Sequence, residues 1–185
     1  MTNQTGFVIW LTGLSGAGKS TLAHLLGPEL ERRGLLVESL DGDVVRTHLS
    51  AGLGFSREDR DTNIHRIGWV SSRLARAGAA VVVSAISPYE DARLVARRLV
   101  EQHAPFVLVH VATGVDECAR RDTKGLYARA FAGDLKGFTG VNDPYEEPTD
   151  PEIRVVTEGR SPEESIAEVL ASLEQRGLVP TGVTA

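Results

Sequence analysis

Phe7-Val-Ile-Trp-Leu-Thr-Gly-Leu-Ser-Gly-Ala-Gly-Lys-Ser-Thr21 is the stretch that decides the fold. Its first six residues form a short apolar run with the look of a buried strand. Gly13 to Ser20 then match G-x-x-x-x-G-K-[ST]. From Lys19 to Arg33 the residues Leu22, Leu25, Leu26 and Leu30 keep helical spacing, and Gly34 stops the run. In that order of strand, turn and helix, Gly13, Gly16 and Gly18 let the backbone N–H groups of Ser15, Ala17 and their neighbours converge on phosphate oxygens. The helix N-terminus adds partial positive charge. Lys19 then reaches the β- and γ-phosphates, and Ser20, with Thr21 behind it, is placed to ligate Mg²⁺. An ordinary glycine-rich turn is the alternative; the flanking strand and helix favour a site for Mg²⁺ and a nucleoside triphosphate.

Outward from this stretch, short apolar runs alternate with amphipathic ones. Strands are expected at 35–40, 79–84, 106–111 and 153–157, and helices at about 64–77, after Pro88, around 115–121 and from Pro162 to Arg176. Ser161-Pro-Glu-Glu supplies a cap, a proline at the first helical position and acids in the first turn. The alternation predicts an α/β fold: one five-stranded parallel sheet with helices on both faces, in a single domain over 1–185 built around the phosphate loop. Residues from about 178 read as a loose tail. The stretch 122–150 carries glycines at 125, 133, 137 and 140 and no sustained apolar period, so it reads as a functional loop.

Composition narrows the classes. The chain has 185 residues, 42% of them hydrophobic, enough for one packed core. A net charge of −5 argues against a nucleic-acid coat protein. A lone cysteine, Cys118, excludes an internal disulfide. The N-terminus lacks the charged and apolar regions of a secretory signal, and no apolar run nears the ~20 residues that span a bilayer. A cytoplasmic protein with no membrane partner is expected. Only Lys19, Lys124 and Lys136 are lysines, against seventeen arginines.

Asp41-Gly42-Asp43 ends the second expected strand, where ligands of such sheets bind. The two carboxylates could orient metal-bound water or take a proton from an acceptor hydroxyl. A turn with a helix cap is the other reading. The third strand ends in Ser84 with no aspartate after it, so the usual strand-end carboxylate is missing and Asp41 or Asp43 is favoured for the metal's outer shell. Gly54 to Asn63 holds Arg57, Arg60, Phe55 and an amide. Arginine forks suit phosphate or sulfate, although composition alone would bury Phe55 in the core.

Together, Gly-Leu-Ser-Gly-Ala-Gly-Lys-Ser-Thr (13–21), Asp-Gly-Asp-Val-Val-Arg (41–46), Leu-Gly-Phe-Ser-Arg-Glu-Asp-Arg (53–60), Ile-Ser-Pro-Tyr (86–89), Lys-Gly-Leu-Tyr (124–127) and Lys-Gly-Phe-Thr-Gly (136–140) resemble the adenylylsulfate (APS) kinases of sulfate assimilation. The resemblance spans roughly 6–178. It implies transfer of ATP's γ-phosphoryl group to the 3′-hydroxyl of adenosine 5′-phosphosulfate, giving 3′-phosphoadenosine 5′-phosphosulfate (PAPS) and ADP. By it Asp43, Arg46, Arg60 and Asn63 hold the acceptor, Phe55 and Phe138 sandwich its adenine, Ile86 and Ser87 line the pocket, and Lys136 approaches its charges. Arg121 stacks on the ATP adenine. Asp41, with Asp43 second, polarises the 3′-hydroxyl. In the family Ser87 is taken as a phosphorylated intermediate, but in-line transfer needs only positioning and charge neutralisation. A serine before proline equally reads as a helix cap.

By the same resemblance 122–150 is a mobile lid, basic through Arg120, Arg121, Lys124, Arg129 and Lys136, and the chain forms a homodimer. Val44, Thr62, His65 and Asn142 depart from the family's usual Asn, Glu, Arg and Asp. A kinase for another small hydroxylated acceptor and an ATP-binding switch are the competing readings. A guanine-specific switch lacks its Asn-Lys-x-Asp stretch.

Overall fold

The computed structural model describes residues 6–181. In chain order the elements are β1 (Phe7–Thr12), α1 (Lys19–Arg32), β2 (Val37–Asp41), α2 (Gly42–His48), α3 (Arg57–Arg76), β3 (Ala80–Ser84), α4 (Glu90–Glu101), β4 (Phe106–Val111), α5 (Val115–Arg121), α6 (Leu126–Phe131), β5 (Ile153–Val155) and α7 (Pro162–Gln175). The five strands form one parallel sheet in the order β2-β3-β1-β4-β5. All six residues of β1 are buried, and their alternation divides the core in two. Phe7, Ile9 and Leu11 pack with Leu22, Leu26 and Leu30 of α1 and with Val169 and Leu173 of α7. Val8 and Trp10 face the opposite side, with Ile64 and Ile67 of α3 and Ala96 and Val100 of α4. A strand buried on both faces reads as a continuous apolar run, which is why β1, β3 and β4 stand out in the sequence.

Elsewhere the boundaries move. The strand expected at 35–40 is 37–41: β2 lies on the sheet edge and Leu36 is exposed. The helix expected from about 64 starts at Arg57, with the Ser56 hydroxyl accepting from Asp59 N at 3.1 Å. Its first two turns bury Arg60 and Asn63 instead of aliphatic residues, so no apolar period marks them. The short α2 follows β2 directly, which is the helix-cap reading of Asp41-Gly42-Asp43. Asp41 caps it, accepting from Asp43 N at 2.9 Å.

The 122–150 stretch is folded rather than structureless. Asp122 receives Tyr127 N and Ala128 N, both at 3.0 Å, and so starts α6. Tyr127 and Phe138 enter the core edge to face, with ring centroids 4.9 Å apart. At the other end, the capping box at Ser161 and Glu164 is formed. Residues 178–180, expected to open the tail, are packed: Val179 is buried and the Pro180 carbonyl accepts from Arg33 Nη1 at 2.8 Å. The N-terminal stretch read for a signal and the tail's end fall on residues 1–5 and 182–185, outside the described residues.

The α3–α4 seam depends on Gly68, where an added Cβ would lie 2.9 Å from both Cα and Cβ of Ala96. Gly68→Val is expected to cost about 2 kcal/mol through overpacking, read as a lower urea midpoint with an unchanged slope.

Candidate active site

All five strands point their carboxyl ends at one edge of the sheet, the place where parallel sheets bind ligands. A cleft of about 420 Å³ opens there. Its floor is the loop from β1 to α1, whose glycines hold positive φ (149° at Gly13, 76° at Gly16 and 106° at Gly18). Ser15, Gly16, Gly18, Lys19, Ser20 and Thr21 line the cleft. Gly13 and Ala17 lie behind it. A Cβ at Gly13 would meet Val111 O at 2.5 Å, and the Ala17 carbonyl accepts from Thr113 and Thr157 at 3.1 and 3.0 Å.

Lys19 is buried and donates to Leu14 O at 2.8 Å. Burial is the main cause that brings its pKa down to about 8; Cys118, Asp41 and Asp43 act in the opposite direction. Beside it Ser20 Oγ donates to Asp41 Oδ2 at 2.8 Å and lies 3.3 Å from Ser84 Oγ. These are hard oxygen donors of the kind Mg²⁺ takes. Among the described residues no three His, Cys, Asp or Glu gather into a metal site.

The far wall is built by α2, α3 and the β3–α4 loop. Arg46 donates to Gly54 O at 2.9 Å and sets its guanidinium 4.4 Å from the Phe55 ring centroid. Burial, then the neighbouring Arg60 cation, lowers its pKa. Phe55 is 67% exposed, so the composition-based expectation of a core residue is corrected: the ring lies at the cleft mouth, with the Arg46 and Arg60 guanidiniums 4.4 and 6.0 Å from its centroid. Asn63 is buried, and its Oδ1 has no hydrogen-bond partner. Arg60 is also buried; it donates to Phe55 O at 2.8 Å, to Gly137 O and to Thr139 Oγ1, and lies 3.4 Å from Asp143 Oδ2.

Ile86 and Ser87 complete that wall. Ser87 takes a left-handed φ of 41° and is buried. Its hydroxyl accepts from Trp10 Nε1 at 3.0 Å, and Arg93 Nη1 donates to its carbonyl at 2.6 Å. It does not cap α4, a position that Tyr89 takes. Asp43 pairs with Lys124 Nζ. Arg121 lines the cleft beside the phosphate loop and is held by Glu117 (2.8 Å) and Thr157 Oγ1 (3.0 Å). Hydrogen bonds from Arg120 and Arg121 bring Glu117's pKa to about 2.

Two residues expected at the acceptor stand apart from the cleft. Phe138 is buried against Tyr127, and Lys136 is exposed on the same segment. None of Val44, Thr62, His65 and Asn142 lines the cleft. Asn142 serves the segment itself, with Nδ2 donating to Leu135 O and Oδ1 accepting from Phe138 N, both at 2.7 Å. The sequence reading missed Asp143, whose carboxylate also receives the Tyr89 hydroxyl at 3.1 Å, and Thr157, which orients Arg121. Neither falls in a motif; only their proximity in the fold identifies them.

A phosphate loop facing a second, anion-ready wall defines an ATP-dependent phosphotransferase of the P-loop kinase class. The family model described as adenylylsulphate kinase matches residues 5–156, and the chain belongs to that family. It is 52% identical over 174 residues to the adenylyl-sulfate kinase of Picosynechococcus sp., covering 94% of this chain and 97% of that protein. It is 54% identical over 177 residues to the probable bifunctional SAT/APS kinase 2 of Sorangium cellulosum, covering 96% of this chain but only 30% of that longer protein. The fold matches the Mycobacterium tuberculosis APS kinase in complex with AMPPNP and APS, with a TM-score of 0.89 and 42% identity, over 92% of this chain and 99% of that one.

The lowered Lys19 pKa has a measurable consequence. The free amine loses its charge as pH rises through about 8, while a bound triphosphate favours the ammonium. Nucleotide binding at pH 9 is expected to take up close to one proton, seen in calorimetry as a dependence on buffer ionisation enthalpy, and affinity should fall above pH 8. Binding heats independent of the buffer contradict this.

Proposed function

We propose that the chain moves the γ-phosphoryl group of ATP directly to the 3′-hydroxyl of adenosine 5′-phosphosulfate, with no enzyme-bound intermediate. The observation that carries this reading is the far wall: an unpartnered, buried Asn63 Oδ1 beside an exposed Phe55 ring backed by Arg46. A buried amide oxygen without a partner is costly, and an acceptor bearing donors relieves it. Phe55 offers a face for adenine, and Arg46 and Arg60 offer forks for phosphosulfate oxygens. Family membership supports the same acceptor.

In this reading the phosphate-loop N–H groups and Lys19 hold the triphosphate, and Arg121 is the platform for its base. Mg²⁺ bound with the nucleotide would be held by Ser20, with Asp41 on its water shell, and supplies charge neutralisation at the β- and γ-phosphates. Both Asp41 oxygens are engaged, by Ser20 Oγ and Asp43 N. Asp43 is therefore the carboxylate given to the acceptor: it takes the 3′-hydroxyl proton as the new O–P bond forms. The bond from the γ-phosphorus to its bridging oxygen breaks, and ADP leaves with the electron pair. Ser87 serves as wall, since its hydroxyl accepts from Trp10 Nε1 and donates to Ala85 O. The 122–150 segment acts as a lid in which Gly137 O and Thr139 occupy Arg60 until the acceptor replaces them, and Lys124 is exchanged from Asp43 toward phosphate. Lys136 and Phe138 join the acceptor only through movement of that segment. Cytoplasmic location and a homodimer belong to the same proposal and rest on the family; no described helix is long and apolar enough to cross a membrane.

The test is PAPS formation from ATP, Mg²⁺ and adenylylsulfate with one ADP released per product. Turnover of another hydroxylated acceptor, with none for adenylylsulfate, overturns the assignment. Asn63→Ala is expected to raise the acceptor KM on the order of 10–100-fold, the loss of a buried hydrogen bond to a polar or charged partner, leaving the ATP KM within about twofold. Arg121→Ala should do the reverse, raising the ATP KM alone. Steady-state kinetics against each substrate separate the two walls.

A further inference from the structure

P-loop nucleotide enzymes commonly hold Mg²⁺ between the phosphate-loop hydroxyl and an aspartate at the end of a neighbouring strand. Here the neighbouring strand is β3, Ala80-Val-Val-Val-Ser84, and its last residue is a serine. Ser84 is the one polar side chain of that strand, is buried, and lines the cleft. The carboxylate has not vanished from the sheet. In the parallel pairing of β2 with β3, Asp41 is the register partner of Ser84. The strand-end carboxylate therefore stands one strand further out, directly across the ladder, and a hydroxyl occupies the position next to β1.

The hydrogen-bond directions around Ser20 say what that hydroxyl does. Ser20 has one hydroxyl proton, and it goes to Asp41 Oδ2 at 2.8 Å. The 3.3 Å contact between Ser20 Oγ and Ser84 Oγ then has Ser84 as its donor. An ion ligated by Ser20 takes one of its two lone pairs and weakens the other as an acceptor, so a water on that ion becomes the better partner for the Ser84 hydroxyl. Such a water suits it, because a neutral hydroxyl both accepts from it and donates beyond it. A second carboxylate there would face Asp41 and add like-charge repulsion.

We propose that Ser84 is a positioning residue for the Mg²⁺–nucleotide complex, holding a water of the ion's shell jointly with Asp41. The inference rests on the reading of the cleft as a Mg²⁺–nucleotide site, and binding measurements separate the two. Mn²⁺ replaces Mg²⁺, and the free ion is counted by electron paramagnetic resonance in titrations of the protein–ADP complex. Ser84→Ala is expected to raise the Mn²⁺ Kd on the order of tenfold, the usual effect of removing an outer-shell partner, with metal-free ADP affinity within about twofold of the parent chain. Ser84→Cys, nearly the same size but a weak hydrogen-bonding group, should give the same loss and stands in if the alanine variant does not fold. Unchanged Mn²⁺ affinity in either folded variant overturns the proposal. Failure of the parent chain to bind Mn²⁺ with ADP overturns the reading of the cleft itself, and the role of Ser84 with it.

Discussion

The two oxygens of Asp41 join three parts of the molecule. One accepts from Asp43 N and starts α2; the other accepts from Ser20 Oγ at the first turn of α1. The residue is also the last of β2, paired with the end of β3. One carboxylate thus fixes the phosphate loop's helix relative to the sheet edge and aims α2, with Asp43 and Arg46, at the opposite wall. The nucleotide floor and the acceptor wall come from separate segments of the chain, and their spacing is set largely here. A charged acceptor holding two hydrogen bonds is stronger than a neutral one in the same place, which suits a joint that must not drift.

What the sequence disclosed follows from burial. β1 and β4 are legible to the residue because strands sealed on both faces are uniformly apolar. α3 hid its first two turns because the face that should show leucines shows the buried polar side chains of Arg60 and Asn63. Phe55 misled for the converse reason: an aromatic ring belongs in a core by composition, yet here it lies exposed at the cleft mouth beside Arg46 and Arg60. Motif likeness grouped Phe138 with Phe55, but Tyr127 holds Phe138 in the core. No local pattern could reveal that Asp143 reaches across from the 122–150 segment to Arg60 and Tyr89.

Net charge concealed the site as well. The chain is acidic overall at −5, yet its cleft gathers Lys19, Arg46, Arg60, Arg121 and Lys124. Most of these cations are already engaged: Arg121 by Glu117 and Thr157, Arg60 by the 122–150 segment, Lys124 by Asp43. Guanidinium groups fixed before the ligand arrives lose little freedom on binding, and phosphoryl transfer asks for little else than position and charge. That economy extends to Ser87, whose hydroxyl is buried and committed to Trp10 instead of standing next to a base.

The central claim is therefore a single displacement between two substrates, without a phosphorylated enzyme. ATP made chiral at the γ-phosphorus with three oxygen isotopes, turned over with adenylylsulfate, reads this directly in the configuration of the product's 3′-phosphate. One in-line transfer predicts inversion. Retention, the mark of two successive transfers through a residue such as Ser87, contradicts the account.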